Sequence, residues 1–401
     1  MELFSKTEYE RYANVLIWGL KKARKNPFKA GDSILIKFEL PALKLAERLY
    51  EILIRQQFNP ILELTPTPNM ELSFYQYASD NQLNFILEGE TVRAASFNGL
   101  ISLRAPESLT HLKSVDSSKI STATKARKVY RDIWDKNEDE GNFGWTLCML
   151  PTEALAKEAN LSLEEYANQI KKSCFLTDDN GVKKWEEIFE AATNIKQWLN
   201  GMDVNYYHMS GDNMDLKIYP GEDRQWIGIS GHNIPSFELF LSPDYRLTTG
   251  RYYANQLTFR NGNLVKDITL DFKEGAVSEF KVAEGEAFFK SQLEMDEGAK
   301  YIGEFSLTDK NFSNIDCFMA NTLFDENYGG EFGNSHIALG ASYANTYCGP
   351  KNVLDANTKK EVGLNSSALH WDLVNTLDKS VYAVLKEGKR ILIYDKGRFL
   401  L

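Results

Sequence analysis

Basic residues are in deficit: 46 Lys and Arg stand against 56 Asp and Glu, a formal net charge of -10. A nucleic-acid binder needs a basic face to neutralise phosphates, so this balance argues against one. The single basic cluster, Lys21, Lys22, Arg24 and Lys25, reads as a solvated helix end. Cysteine is scarce. Cys148, Cys174, Cys317 and Cys348 include no C-x-x-C pair and are too scattered for a disulfide framework, which fits a reducing compartment. No apolar run approaches the ~18 residues that suggest a membrane span. The first residues carry early acids, a short apolar run from Ala13 to Leu20 and no small-residue cleavage site, unlike a signal peptide. The expectation is a cytoplasmic protein with no membrane partner.

Familiar reaction motifs are missing too. There is no G-x-G-x-x-G after a strand, no G-x-x-x-x-G-K-[ST], no H-E-x-x-H and no G-x-S-x-G. Gly228-Ile229-Ser230-Gly231 matches the last only loosely, which argues against a serine nucleophile. No cysteine sits beside a recognisable catalytic partner.

What is present is an ordinary globular composition, 43% hydrophobic and 25% charged, in a chain of 401 residues, long enough for two domains with cores of their own. In the first half, Tyr12, Val15, Leu16 and Leu20 share a helical face. Ser33–Phe38 reads as a strand, residues 41–57 as an amphipathic helix and Pro60–Leu64 as the next strand. This βαβ order predicts a mainly parallel sheet with crossover helices. Residues 105–130, polar and without apolar period, read as an exposed connection. Trp145–Met149 reads as a strand, and helices follow to about residue 199, the clearest over Lys184–Leu199. A boundary near Asn200-Gly201 gives an N-terminal α/β domain (1–200) and a C-terminal domain (201–401). The second half has short strand-like segments at Met214–Tyr219, Gln225–Ser230, Glu238–Leu241 and Asp267–Phe272. Between them lie turn signals, including Pro220-Gly221, Asn261-Gly262-Asn263 and Glu274-Gly275. The expectation there is an α+β domain with a mainly antiparallel sheet and helices near 286–296 and 370–377.

Histidine is rare: His111, His208, His232, His336 and His370. His370-Trp371-Asp372 would, if extended, send histidine and aspartate to one face, where both could reach one metal pair. Asp325 and Glu326 precede His336, and Tyr343 follows it, so oxygen ligands, imidazole and a phenol fall within twenty residues. These are the parts of a hydrolytic metal centre; a loop with a satisfied histidine and an exposed acidic pair is the alternative. Glu304 in Tyr301–Leu307 and Glu238 in Asn233–Phe240 are carboxylates in otherwise apolar strands. Each is either buried at a cost that calls for a partner or turned to water at a sheet edge.

Together these segments resemble the M29 family of metallopeptidases, the group of aminopeptidase T and aminopeptidase S. Asn233-Ile234-Pro235…Glu238-Leu239-Phe240 is similar to the family's N-[LM]-P-T-x-E-[VI]-[FY] segment, and Gly303-Glu304 to its L-G-E-[VF] segment. Asn321–Asn327, His336–Gly340, Tyr343 and Asn365-Ser366-Ser367…His370-Trp371-Asp372 follow in the family's order. The N-terminal half is similar more loosely, through Tyr12-Ala13…Leu16 and Gly31-Asp32. The resemblance implies a metallo-aminopeptidase, a homodimer, that releases N-terminal residues from peptides with a free N-terminus. It implies two divalent metal ions (zinc, cobalt, manganese or magnesium) held by Glu238, Glu304, Glu326, His336, His370 and Asp372. It further implies Glu304 as general base for a two-metal-activated water, and Tyr343 as stabiliser of the oxyanion.

The chain departs from the family pattern in two places. Ser236 and Phe237 stand where the family usually has threonine and an extra glutamate. Residues 327–335 run a few residues longer than the pattern and add Glu331 as a rival to Glu326. Two further readings therefore stay open: a catalytically weak metal- or peptide-binding homologue, and a non-peptidase metallohydrolase such as an amidase.

Overall fold

The computed structural model describes residues 3–260, 263–350 and 356–401. Its strands are β1 (Ser33–Phe38), β2 (Asn59–Leu64), β3 (Gly99–Arg104), β4 (Gly144–Met149), β5 (Val204–Gly211), β6 (Met214–Ile218), β7 (Asn233–Ile234), β8 (Glu238–Leu241) and β9 (Thr249–Ala254). They continue with β10 (Thr258–Arg260), β11 (Asn263–Lys273), β12 (Ala276–Glu284), β13 (Ile302–Thr308), β14 (Asn334–Gly340), β15 (His370–Asn375), β16 (Lys379–Leu385), β17 (Arg390–Asp395) and β18 (Arg398–Phe399). The chain divides into two compact units. One holds the residues up to Trp185 together with Ser230–Pro235; the other holds Glu186–Ile229 and Ser236–Leu401. Asn200, where a boundary was expected, ends a helix inside the second unit.

In the first unit the sheet runs β2-β1-β3-β4-β7, every pair parallel. Consecutive buried residues Ile34, Leu35 and Ile36 explain this, since a parallel strand covered on both faces has no polar side to show. The crossover helix Leu43–Arg55 buries Leu45, Ala46, Leu49, Ile52 and Leu53, the three- and four-residue spacing of one helical face. Helix Lys6–Ala23 starts at a capping box between Ser5 and Glu8, which satisfies two terminal N–H groups.

The second unit is largely antiparallel, as expected. A nine-stranded sheet carries β5, β6, β9 to β12 and β16 to β18, and a four-stranded sheet runs β15-β14-β13-β8. Turn residues Asn261 and Gly262 lie outside the described residues, but Arg260 and Asn263 on either side pair antiparallel.

Three local expectations need correction. Residues 117–139 form a helix rather than a connection. Asp116 caps it by accepting from the Ser118 N–H, and its surface is so polar that, among the described residues, Ala123 alone is well buried, leaving little period to detect. Residues 370–375 form strand β15, not a helix: His370, Asp372 and Val374 share one face while Trp371 and Leu373 are buried between them. Gln225–Ser230 makes only an isolated bridge, Ile227 to Phe240, because positive φ at Gly228 (121°) and Ile229 (48°) turns the backbone out of the extended region.

Lys379 in β16 is 2% exposed, and its Nζ reaches the Phe332 carbonyl at 3.4 Å, under the long segment before β14. Burial pushes its ammonium down to about 7. The unfolded chain therefore binds one more proton than the fold between about pH 7 and the usual lysine range, so stability rises with pH across that window. Lys379→Met should remove up to ~1.4 kcal/mol per pH unit of that slope and raise the melting temperature at pH 7, measured by denaturant and thermal unfolding at pH 7 to 10.

Candidate metal centre

The central strands β13 and β14 are buried along their whole length, yet they carry Glu304, Ser306, Thr308, Asn334, Ser335 and His336. Buried strands are normally apolar, because unpaired polar groups cost free energy there. The register explains the anomaly. Glu304 pairs with Ala338 and Ala338 with Asp372, while Ser306 pairs with His336 and Phe240, and Thr308 with Glu238. Directly paired residues share a sheet face, and so do residues two apart in one strand. Glu238, Glu304, His336, His370 and Asp372 therefore all project from one face, over a floor that includes the small residues Ser306 and Ala338.

Two donor sets result. Glu238, Glu304 and His336 place ligand atoms within 4.8 Å of one another, and so do Glu304, His370 and Asp372. Glu304 belongs to both: Oε1 lies 3.2 Å from His336 Nε2 and Oε2 lies 3.5 Å from His370 Nε2. His336 Nε2 is also 3.3 Å from Glu238, and His370 Nε2 is 3.5 Å from Asp372. Glu304 is thus internal to the sheet, and Glu238, although at its edge, is only 7% exposed. The water-facing alternative fails for both.

Backbone details hold these groups in place. A register shift separates Ile302 from Glu304, and at Gly303 a Cβ would meet the Ala341 carbonyl oxygen at 2.2 Å. Glycine is required by that approach, and the same Ala341 carbonyl lies 2.9 Å from His370 Nδ1. A carbonyl only accepts, so it fixes a proton on Nδ1 and turns Nε2 to the site. His336 Nδ1 is buried without a partner. Asn327, fully buried, accepts the Phe237 N–H at 2.5 Å through Oδ1 and donates through Nδ2 to Leu323 O at 3.0 Å. One side chain thereby ties the residue before Glu238 to the turn that carries Glu326. Asp325, buried rather than exposed, accepts the Met319 and Asn321 N–H groups.

Glu326 caps the short helix Thr322–Asp325 and lies outside both donor sets, but its carboxyl faces the charges of Glu238, Asp372 and Glu304. Its rival Glu331 is exposed, with its main-chain carbonyl bound to Lys310. Tyr343 stands at the rim, its ring centroid 4.8 Å from that of His370 and its N–H bound to Ser242 Oγ. His111, His208 and His232 pair instead with Glu71, Asp215 and Glu138. Sequence reading missed Arg260, whose Nη1 donates to the His370 carbonyl at 2.8 Å while the guanidinium lies over the Trp371 ring.

Charge is the dominant feature. Four carboxylates (Glu238, Glu304, Glu326 and Asp372) face two imidazoles, and among the described residues none of the four has a Lys or Arg ion-pair partner. Burial pushes Glu238 up to about 8, with His336 opposing and Glu304 and Asp372 adding to the rise. Burial, then the Glu238, Asp372 and Glu304 charges, holds Glu326 well above the carboxylate range. Burial acts to lower both histidines, but the carboxylates win, leaving His336 at about 9 and His370 at about 11. Burial is the largest single influence on Asp372 and acts to raise it, but the charge and hydrogen bond of His370 with the charges of His336 and Arg260 together hold it below the usual carboxylate range. Burial and the four carboxylates raise the Tyr343 phenol, which keeps it a donor. Oxygen and imidazole donors with surplus negative charge fit divalent cations.

Comparison with known proteins agrees. A family model described as thermophilic metalloprotease (M29) matches residues 5–399. Aminopeptidase 2 of Geobacillus stearothermophilus is 29% identical over 321 residues, covering 72% of this chain and 73% of that protein. Aminopeptidase AmpS of Bacillus subtilis (strain 168) is 28% identical over 313 residues, with 72% and 73% covered. The solved structure of wild-type AmpT from Thermus thermophilus matches with a TM-score of 0.80 at 21% identity, covering 99% of this chain and 100% of that one, a likeness of fold.

Because Glu238, His336 and His370 hold protons at pH 7 without metal, a cation must displace them. Calorimetric titration of the metal-free protein at pH 7 in buffers of different ionisation enthalpy should show net proton release, and affinity should rise from pH 6 to 9. Binding without proton release, or with affinity independent of pH, would contradict this ligand set.

Proposed function

Since the chain belongs to the thermophilic metalloprotease (M29) family, a family of metallo-aminopeptidases, we propose that it removes N-terminal residues from peptides at a two-metal centre on the acidic sheet face. The observation that carries this reading is the place of Glu304 in both donor sets, as a carboxylate shared by two adjacent cations would be placed. Glu238 and His336 would complete one site, His370 and Asp372 the other, with Glu326 as a further ligand beside them. When bound, the ions would polarise the scissile carbonyl and make water a stronger acid near neutral pH.

The chain's own residues supply the rest. Glu304 takes the proton of the attacking water at a carboxylate oxygen and passes it to the leaving amine. Tyr343, neutral at working pH and at the rim above His370, donates its O–H to the developing oxyanion. A free substrate amine would be held by one of the ions or by a carboxylate, which an acetylated terminus would not be. At Ser236 and Phe237, where the chain departs from the family, Asn327 accepts the main-chain N–H of Phe237, a tie that uses neither of those side chains.

A second assignment of the base has one observation in its favour. Glu304 lies in both donor sets while Glu326 lies in neither, which frees Glu326 to carry the proton.

With Leu- or Arg-anilides and cobalt, zinc or manganese, free-amine substrates should be cleaved, N-acetylated ones should not, and chelator should abolish turnover. Glu304→Gln should lower kcat by ~100-fold or more with metal content retained. If Glu304→Gln instead loses metal, and Glu326→Gln loses turnover with metal retained, the base is Glu326. Tyr343→Phe should lower kcat by ~100-fold with KM little changed, the loss typical of one oxyanion donor. Equal cleavage of acetylated substrates would contradict an aminopeptidase, and absence of turnover in the metal-loaded chain would favour the weak homologue.

A further inference from the structure

Within the first unit, a second group of reactive side chains meets. Ser230 Oγ lies 2.7 Å from His232 Nδ1, and His232 Nε2 lies 2.8 Å from Glu138 Oε1. Trp145 Nε1 donates to the other Glu138 oxygen at 3.2 Å, and the Trp145 ring lies 4.5 Å from the imidazole. An ionised carboxylate only accepts, so the neutral imidazole keeps its proton on Nε2. Nδ1 is then left as a lone pair, and the Ser230 hydroxyl donates to it. Nucleophile, base and orienting acid are recognised by these roles and their geometry, not by their order in the chain.

The setting suits reaction. Ser230 is half-buried, and the His232 and Glu138 side chains are 22% and 30% exposed, so the group is reachable from solvent. Ile229 and Gly231 both have positive φ (48° and 89°), which places Ser230 on a sharp bend. At Gly231 a Cβ would meet the Gly19 carbonyl oxygen at 2.3 Å, so the bend rests directly on the helix Lys6–Ala23. Strand β7 then pairs with β4, which fixes the far side of His232. The match of Gly228-Ile229-Ser230-Gly231 to G-x-S-x-G is only loose and by itself argues against a serine nucleophile, but the structure supplies the partners. The base is two residues on, and the acid stands 94 residues from it in sequence.

We propose that Ser230, His232 and Glu138 form a second, metal-independent nucleophilic site that reacts with activated carboxylic esters. Ser230 Oγ attacks the carbonyl carbon as its proton moves to His232 Nδ1. The bond to the leaving alcohol breaks as that proton passes to the departing oxygen, leaving an ester on Ser230. Water, deprotonated by the same Nδ1, then cleaves that ester and returns the free serine and a carboxylic acid. Glu138 holds the imidazole tautomer and balances the imidazolium charge throughout.

The test uses the full, metal-loaded chain, treated with a fluorophosphonate and mapped by peptide mass spectrometry, alongside release of p-nitrophenol from p-nitrophenyl acetate. The expected result is an adduct on Ser230, formed at the same rate with or without chelator. Labelling should slow by ~100-fold or more in His232→Gln, the contribution of a positioned general base. Ser230→Ala should lose the adduct and the ester hydrolysis while retaining hydrolysis of peptide anilides. Absence of an adduct on Ser230, or labelling of His232→Gln at the unmodified rate, would overturn the proposal. Mapping on the unmodified chain needs no variant, so the test stands even if a substitution at the bend impairs folding.

Discussion

Electrostatic repulsion among carboxylates on one face of a four-stranded sheet is the constraint around which the second unit is arranged. Glu238, Glu304, Glu326 and Asp372 converge where water is largely excluded, and two imidazoles cannot balance them. Such a cluster is costly to bury and gains nothing for folding by itself. Without cations it must take up protons, as the raised Glu238 and the two raised histidines indicate. With cations the same repulsion becomes affinity. The cost to the fold and the capacity to bind metal are one quantity, read from opposite sides.

Keeping repelling groups together requires a stiff frame, and the surrounding hydrogen bonds supply it. The β-bulge at Gly303 brings the Ala341 carbonyl against His370, so a glycine in one strand orients an imidazole in another. Asn327 joins the backbone ahead of Glu238 to the turn that carries Glu326. Beyond Asn327, the long segment to residue 335 contributes no ligand atom to the two donor sets. Its Phe332 carbonyl accepts from Tyr394 and Lys379, and Glu331 faces solvent, so the extra residues are accommodated on the side of β16 and β17.

Legibility from sequence followed the physics of each feature. The parallel sheet was readable because buried Ile34–Ile36 and the periodic helix Leu43–Arg55 are local patterns. His370 and Asp372 could be placed on one face because alternation in a strand is also local, although a helix had been expected there. The helix Ser117–Asp139 escaped because its surface is polar almost all round. Convergence of Glu238, Glu304 and His336 depends on register across three strands, which spacing along the chain does not encode; only the order of family-like segments pointed to it. Arg260 and the Asn327 clamp depend on contacts between distant segments and left no local signature, and of the Ser230–His232–Glu138 group only the loose likeness around Ser230 was legible.

The central claim is that Glu304 is shared between two metal ions. It is tested most directly by a crystal structure of the metal-loaded protein with anomalous scattering at the edge of the bound metal. The account predicts two anomalous peaks about 3.5–4 Å apart beside Glu304, the spacing of co-catalytic metal pairs. A single peak, or two peaks that leave Glu304 uncoordinated, would contradict it.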